Sequence, residues 1–467
     1  MNPATSGSVA IEVKRLETVP NLLSLHRQDP KRFAFLLQST ALGGSAQRTL
    51  GQFDILFCEP GDAIVVPFDA AHDAPSFFDT LNALAPEVAR DGPRWIGDPV
   101  PAGGLPFFGG WFVFAAYELA AQVEPTLSLT RDPSLPMALA VRVRSAVVVC
   151  RSSAKAWLVA EESIDCGLLK AVSTGGDTSH ATMGWSTDSL VERIDEDRPE
   201  PFLHAVGRAR EHIAAGDVFQ ANLSRRWCAR LRDDVSSADV YERLCQTNAA
   251  PFAGLMTWRG TSVLSSSPER LAELRYGRID TRPIAGTRPR GAGTRNDRAL
   301  SRELIRHPKE RAEHVMLIDL ERNDIGRVCK PGTVAVDEFM VIESYAHVHH
   351  IVSNVSGELD AGVGPGDALR AVYPGGTITG CPKVRCMDII ADLEEGPRGA
   401  YTGGMGYLNR DGSGDMNILI RTLVIRDGEA TFRAGAGIVA DSVAEAELAE
   451  TRAKARGMVL ALTGNDA

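Results

Sequence analysis

The sequence predicts an α+β protein built on large sheets rather than a doubly wound βαβ fold, and three observations point there. The N-terminal part alternates β-like runs (Phe33–Leu37, Phe53–Cys58, Ala140–Cys150) with Gly/Pro turns and has few helical stretches. Beyond a polar segment at 173–201, strands and helices interleave without a clean βα alternation. With 467 residues, 44% of them hydrophobic, the chain can bury a large core, as two lobes or as one big domain with an N-terminal extension. The expected organisation is a β-rich N-terminal subdomain over 1–172, a linker over 173–201 and a second domain over 202–467.

Taken in order, the segment 173–201 is polar and poor in periodic apolar positions, which marks it as the linker. Phe202–Ala215 has helical periodicity and is closed by Gly216-Asp217. Strands follow at Val218–Trp227, Val263–Ser265, Val352–Glu358, Gly403–Leu408, Ile418–Val424 and Thr431–Ala434. Helices are expected at Arg298–Ile305, Lys309–Leu320, Val384–Leu393 and Ala444–Leu462.

Composition narrows the function. The net charge is −10 and no Lys/Arg-rich run occurs, so nucleic acid is not an expected partner. No apolar stretch approaches the roughly 20 residues needed to span a bilayer, and no membrane association is expected. The N-terminal residues lack the apolar core of a signal peptide. Eight scattered cysteines suit a reducing cytosol. Cys381 and Cys386 do not have the spacing of a zinc site and read as packing residues.

Two Glu-x-x-Glu pairs carry the most chemistry. Glu310 with Glu313, and Glu447 with Glu450, each occupy one face of a helix-like segment. A single pair of this kind is usually solvated surface. Two acidic faces brought together repel unless a cation lies between them, and hard oxygen ligands suit Mg²⁺, which keeps waters to share with an anionic substrate. Basic, glycine-rich neighbours strengthen that reading. Pro374–Lys383 is a glycine-rich loop entering a helix, with Pro382 near the first helical position; it lacks the Gly-Lys-Ser/Thr ending of a nucleotide phosphate loop. Gly435–Ala440 formally matches a dinucleotide fingerprint, but no following βα unit supports it; it reads better as a turn offering backbone N–H groups to an anion. Arg421, on an expected strand, and Lys454, one turn after Glu450, can each clamp a carboxylate. Among His347, His349 and His350, strand alternation sets His350 on the opposite face from the others; it is either a general acid or a buried structural histidine. These residues alone suggest a metal-assisted site for an acidic small molecule, with phosphoryl transfer as a competing class.

The segments GDVFQANLS (216–224), SSSPERL (265–271), PIAGTRPRG (283–291), ERAEHVMLIDLERNDIGRV (310–328), HVHHIVSNVSGEL (347–359), PGGTITGCPKVRCMDII (374–390), YTGGMGYL (401–408), MNILIRTL (416–423), GAGIVADS (435–442) and EAELAETRAKA (445–455) together resemble the chorismate-utilising enzymes. The resemblance covers residues 200–460 in order and is looser before that. It implies large sheets packed in a sandwich-like core with helices outside, and a chorismate-binding catalytic domain over 202–467. It further implies Mg²⁺ on Glu313 and Glu450, with Glu310 and Glu447 in support. Arg421, Lys454, Tyr401 and the backbone of Gly435 and Gly437 would bind the substrate carboxylates. His350 and Thr377 would lie beside the departing hydroxyl.

Members that add water carry a lysine base where this chain has Gln220; an amide cannot abstract a proton from water, which leaves the aminating members. Among these, the tryptophan-regulated anthranilate synthases carry L-L-E-S and N-P-S-P-Y-M-F, which hold the inhibitor. Here the segments read Leu36-Leu37-Gln38-Ser39 and Asn248-Ala249-Ala250-Pro251-Phe252. That form resembles the aminodeoxychorismate synthases. Ala285 points the other way, because many of those enzymes have a lysine there, proposed as a nucleophile at ring C2. The weight of features favours amination to aminodeoxychorismate. No Gly-x-Cys-x-Gly turn with a downstream His-x-Glu occurs, so ammonia is expected from a separate glutaminase subunit.

Overall fold

The computed structural model describes residues 10–41, 43–44, 49–70, 74–174, 187–291, 293–345 and 348–464. Among them, two sheets dominate, one of 13 strands and one of 10, and both are almost wholly antiparallel. Their inner faces supply a common aromatic and aliphatic core. Phe35 of the larger sheet stacks on Phe112 of the smaller at a centroid distance of 4.2 Å, and Phe57 meets Phe107 edge-on. The helices pack on the outer faces, giving the α+β sandwich expected.

The boundary drawn between N-terminal and C-terminal parts is one of sequence, not of hydrogen bonding. In the larger sheet Phe35–Gln38 pairs with Phe252–Trp258. In the smaller, Gly110–Ala115 pairs with Gly404–Asn409. Of the expected linker, residues 175–186 lie outside the described residues. The part after them is regular: Val191–Glu196 is the edge strand of the larger sheet, and a helix with proline in its first turn starts at Pro199. Alternating charges on this strand, VERIDE, masked its β character, as suits a sheet edge.

Two helices position the acidic pairs. Pro308–Gly326 starts on a proline at N1, with His307 as N-cap, and buries Ile318 and Ile325 against the smaller sheet. Ala444–Thr463 buries Leu448, Ala455, Met458 and Leu462 against the larger sheet and ends on left-handed Gly464. Each acidic pair thus rides on a helix belonging to a different sheet, and the pairs face one another across the junction.

The strand expected at Ile418–Val424 is two strands, Gly414–Ile418 and Thr422–Arg426, interrupted where Arg421 adopts a left-handed conformation (φ 52°). Gly435–Ile438 is not a turn. It is the end of strand Glu429–Ile438, still paired with Gln220–Leu231. Pro382 is the N-cap of helix Lys383–Leu393 rather than its first residue.

Candidate active site

Strand Gln220–Leu231 directs Ala221 and Leu223 into the core and, by alternation, Gln220 and Asn222 to the other face. Gln220 is 3% exposed; its Nε2 donates to Glu313 Oε1 at 3.0 Å, and its Oε1 is buried without a partner. The neighbouring strand must be glycine there. A Cβ on Gly437 would lie 2.3 Å from Gln220 Nε2, and one on Gly435 would lie 2.7 Å from both Asn222 Oδ1 and the Tyr401 hydroxyl. Past Phe432, strand Glu429–Ile438 has lost its Thr422–Arg426 neighbour, so alternate backbone groups from Arg433 to Ile438 are free of sheet bonds on that side. This is how Gly435 and Gly437 can offer backbone to a ligand.

The four carboxylates lie within electrostatic reach of one another. Glu313 has its pKa raised by burial and by Glu310 and Glu450; Glu447 has its pKa raised by burial and by Glu450. The chain partly neutralises them itself. Arg288 Nη1 binds Glu310 Oε1 at 3.1 Å, Lys454 Nζ binds Glu450 Oε1 at 2.7 Å, and Gln220 holds Glu313. Among the described residues no group of three acidic, histidine or cysteine side chains is arranged to hold a metal on its own. The donor set nevertheless fits Mg²⁺, which needs only one or two carboxylates when waters and substrate oxygens complete its shell.

Next to the carboxylates lies a second cluster. Arg421 is half-buried, has no hydrogen bond or ion pair from its guanidinium to a described residue, and has its pKa lowered by desolvation. His350 is 3% exposed. Burial, with Arg421 nearby, pushes its pKa down to about 3, so its ring is neutral. Its Nδ1 meets Thr287 Oγ1 at 2.9 Å, its ring packs edge-on against Tyr345, and its Nε2 is buried without a partner. The Thr377 hydroxyl is likewise buried and lies against the Glu269 carboxyl. Tyr401 stays a phenol, its pKa pushed up to about 12 by burial. Ala285 is buried on strand Ile284–Pro289, opposite Ile351, and brings no reactive atom. Of the other histidines, His349 bridges Asp297 and Ser344, and His347 lies outside the described residues.

One residue here was not singled out from the sequence. Glu269, in the SSSPERL segment, is 4% exposed; burial pushes its pKa up to about 8, while Thr377, the Ile284 N–H and Arg421 act against that rise. It is a carboxylic acid at neutral pH, whereas His350 carries no proton to spare beyond that of a neutral ring. A glutamate inside a Ser-rich strand ending was the available signal. Behind the loop, Lys383 pairs with Asp324, and Glu321, its pKa raised to about 7 by burial, accepts the Gly376 N–H. These contacts hold the loop at 374–380 in place.

A cavity of about 430 Å³ lies elsewhere. It is walled by Leu37, Gln38, Ser39, Pro251, Phe252 and Asn417 among others, and contains none of the residues above.

A sandwich of two large sheets, with opposed acidic pairs, an unpaired arginine and a protonated buried carboxyl at their junction, defines an enzyme for a small, multiply anionic substrate. The family model of chorismate binding enzymes matches residues 61–460, and the chain belongs to that family. It is a chorismate-utilising enzyme. Anthranilate synthase component 1 of Streptomyces coelicolor is 38% identical over 461 residues, covering 93% of this chain and 84% of that protein. Aminodeoxychorismate synthase component 1 of Bacillus subtilis is 39% identical over 375 residues, 76% of this chain and 77% of that protein. The crystal structure of anthranilate synthase component I from Streptococcus pneumoniae superposes with a TM-score of 0.73 at 29% identity, covering 87% of this chain and 92% of that one.

Proposed function

We propose that the chain is the chorismate-aminating component of an aminodeoxychorismate synthase, making 4-amino-4-deoxychorismate from chorismate and ammonia. The observation that carries amination is Gln220. An amide lies against the metal-type carboxylates, and no lysine or other base stands at that position to activate water. Ammonia needs no such activation. It would come from a separate glutaminase subunit, in keeping with the "component" names of the relatives.

In this reading Arg421 receives one substrate carboxylate, which supplies the partner its guanidinium lacks. The Tyr401 hydroxyl and the backbone at Gly435 and Gly437 receive another. Glu269 gives its proton to the departing ring hydroxyl, with His350 and Thr377 alongside. Glu313 and Glu450, supported by Glu310 and Glu447, would hold Mg²⁺, which when bound polarises the ring carboxylate as a Lewis acid.

Support for this product over anthranilate comes from the large cavity, whose walls carry Gln38 and Phe252 in place of the inhibitor-holding residues of tryptophan-regulated relatives. The competing reading, anthranilate synthase, is favoured by Ala285 and by the Streptomyces coelicolor relative. Product analysis separates them. With chorismate, ammonium and Mg²⁺, the expected product forms without pyruvate and becomes p-aminobenzoate only after a lyase is added. Fluorescent anthranilate with stoichiometric pyruvate would establish the alternative.

A further inference from the structure

His350 is held at two places. Its Nδ1 meets the Gly286 carbonyl at 3.4 Å and the Thr287 hydroxyl at 2.9 Å. A carbonyl only accepts, so the hydrogen of the neutral imidazole sits on Nδ1 and Nε2 presents a lone pair. Nε2 is buried without a partner. In the reaction proposed above it accepts a hydrogen bond from the departing hydroxyl while Glu269 protonates that group's oxygen. Such a bond is useful only while the ring plane is fixed. The Nδ1 contacts alone fix it poorly, because one is long and the other is to an exposed threonine whose hydroxyl can exchange with water. The second hold is Tyr345, whose ring meets the imidazole edge-to-face at a centroid distance of 5.8 Å and an angle of 60°. Tyr345 is itself braced. It is 5% exposed, and its hydroxyl donates to Glu343 Oε2 at 2.5 Å. Arg282 binds the other oxygen of Glu343 through Nε at 3.1 Å and Nη2 at 2.6 Å. The Tyr345 N–H donates to the Val348 carbonyl at 2.8 Å, and its own carbonyl accepts from Arg290 Nη1 at 2.7 Å. Arg290 is fixed in turn by both oxygens of Asp297. A buried phenol whose hydroxyl is spent on an ion-paired carboxylate makes a rigid wall, and the ring it walls is His350.

We infer that Tyr345 is a positioning residue for the reaction: its ring holds the His350 imidazole so that Nε2 faces the departing hydroxyl. This rests on the reading that sets His350 beside that hydroxyl, and not on the choice between the two amine products. The test uses the full chain with Mg²⁺ and saturating ammonium chloride, measuring kcat and KM by chorismate consumption, and Tm alongside. Tyr345→Leu is expected to lower kcat about tenfold, the worth of one aromatic contact, while the KM for chorismate stays within about twofold. Tyr345→Phe keeps the ring and loses the bond to Glu343, so it is expected to melt at a lower temperature yet keep at least about half of kcat. A merely structural role would instead make the loss of kcat follow the loss of Tm. In a His350→Ala background, Tyr345→Leu is expected to lower kcat by no more than about twofold further. Tyr345→Met serves as the ringless variant if the leucine does not fold. Wild-type kcat without the ring, a loss in Tyr345→Phe as large as in Tyr345→Leu, or additive losses in the double variant would overturn the inference. Wild-type kcat in His350→Ala would overturn instead the reading on which it rests.

Discussion

The junction that carries the acidic pairs and the 430 Å³ cavity are both rich in polar side chains within the same sandwich, yet their hydrogen bonding differs in kind. In the cavity the polar side chains are paired within the protein. Arg270 takes both oxygens of Asp415, Asn417 donates to the Phe252 carbonyl and accepts from Met405 N, and Ser39 bonds Asp54 and Pro251. At the junction Gln220, Asn222 and His350 each keep a buried polar atom without a partner, and the Arg421 guanidinium pairs with no carboxylate among the described residues. A polar region whose groups satisfy one another is a finished piece of structure. One left with unpaired groups is completed by its ligands.

The contrast is broken most severely at the carboxylates. Glu313→Gln or Glu450→Gln is expected to lower turnover by roughly a hundredfold or more, as ligand-shell losses do, with the fold intact. Steady-state rates across a Mg²⁺ titration check this; near-normal activity in limiting Mg²⁺ would remove these residues from the metal site.

Glu269 comes next. Its proton is present below about pH 8 and lost above it, because burial raises its pKa to about that value. The kcat/KM of the wild type is therefore expected to fall as pH rises through about 8. Glu269→Gln is expected to cost about a hundredfold and to abolish that alkaline limb. A pH–rate profile whose alkaline limb survives the substitution would assign the proton to another group.

The same contrast explains what could be read in advance. The long helices, the paired glutamates and most strands were legible because periodicity and composition report burial directly. The Gly435–Ile438 stretch was misread as a turn, because in sequence a glycine needed for clearance looks like one needed for a bend. Arg421 was expected within a strand, because a left-handed break without glycine leaves no local mark. Glu269 escaped notice because its raised pKa comes from burial, which only the packing of segments distant in sequence creates. The edge strand Val191–Glu196 was lost among its charges.

In the cavity, by contrast, breaking a pair is expected to harm stability and not chemistry. Asp415→Asn weakens a buried, two-point contact to Arg270, which keeps Glu273 at 3.0 Å. The expected loss is about 2 kcal/mol, in the range for hydrogen bonds to charged groups. Thermal unfolding is expected to shift down while turnover per folded molecule stays within about twofold. A large drop in kcat without a change in melting temperature would mean that the two regions communicate.

The smallest effect is expected from tryptophan. An amino acid entering the cavity needs an anion for its ammonium and a donor for its carboxylate. Gln38 is a neutral amide where tryptophan-regulated relatives carry a glutamate. Of the carboxylates lining the cavity, Glu273 and Asp415 are ion-paired with Arg270, and Asp411 already accepts from the Ser413 N–H and hydroxyl; Asp54, close by, is paired with Arg151. Binding would require one of these pairs to open, and breaking a buried pair commonly costs about 3–5 kcal/mol, more than two or three orders of magnitude in affinity. Millimolar tryptophan is therefore expected to change the initial rate by less than about twofold and to leave the melting temperature where it is. Inhibition at micromolar tryptophan would show that the pairs in this cavity yield readily to a ligand, and would favour the anthranilate reading of the whole enzyme.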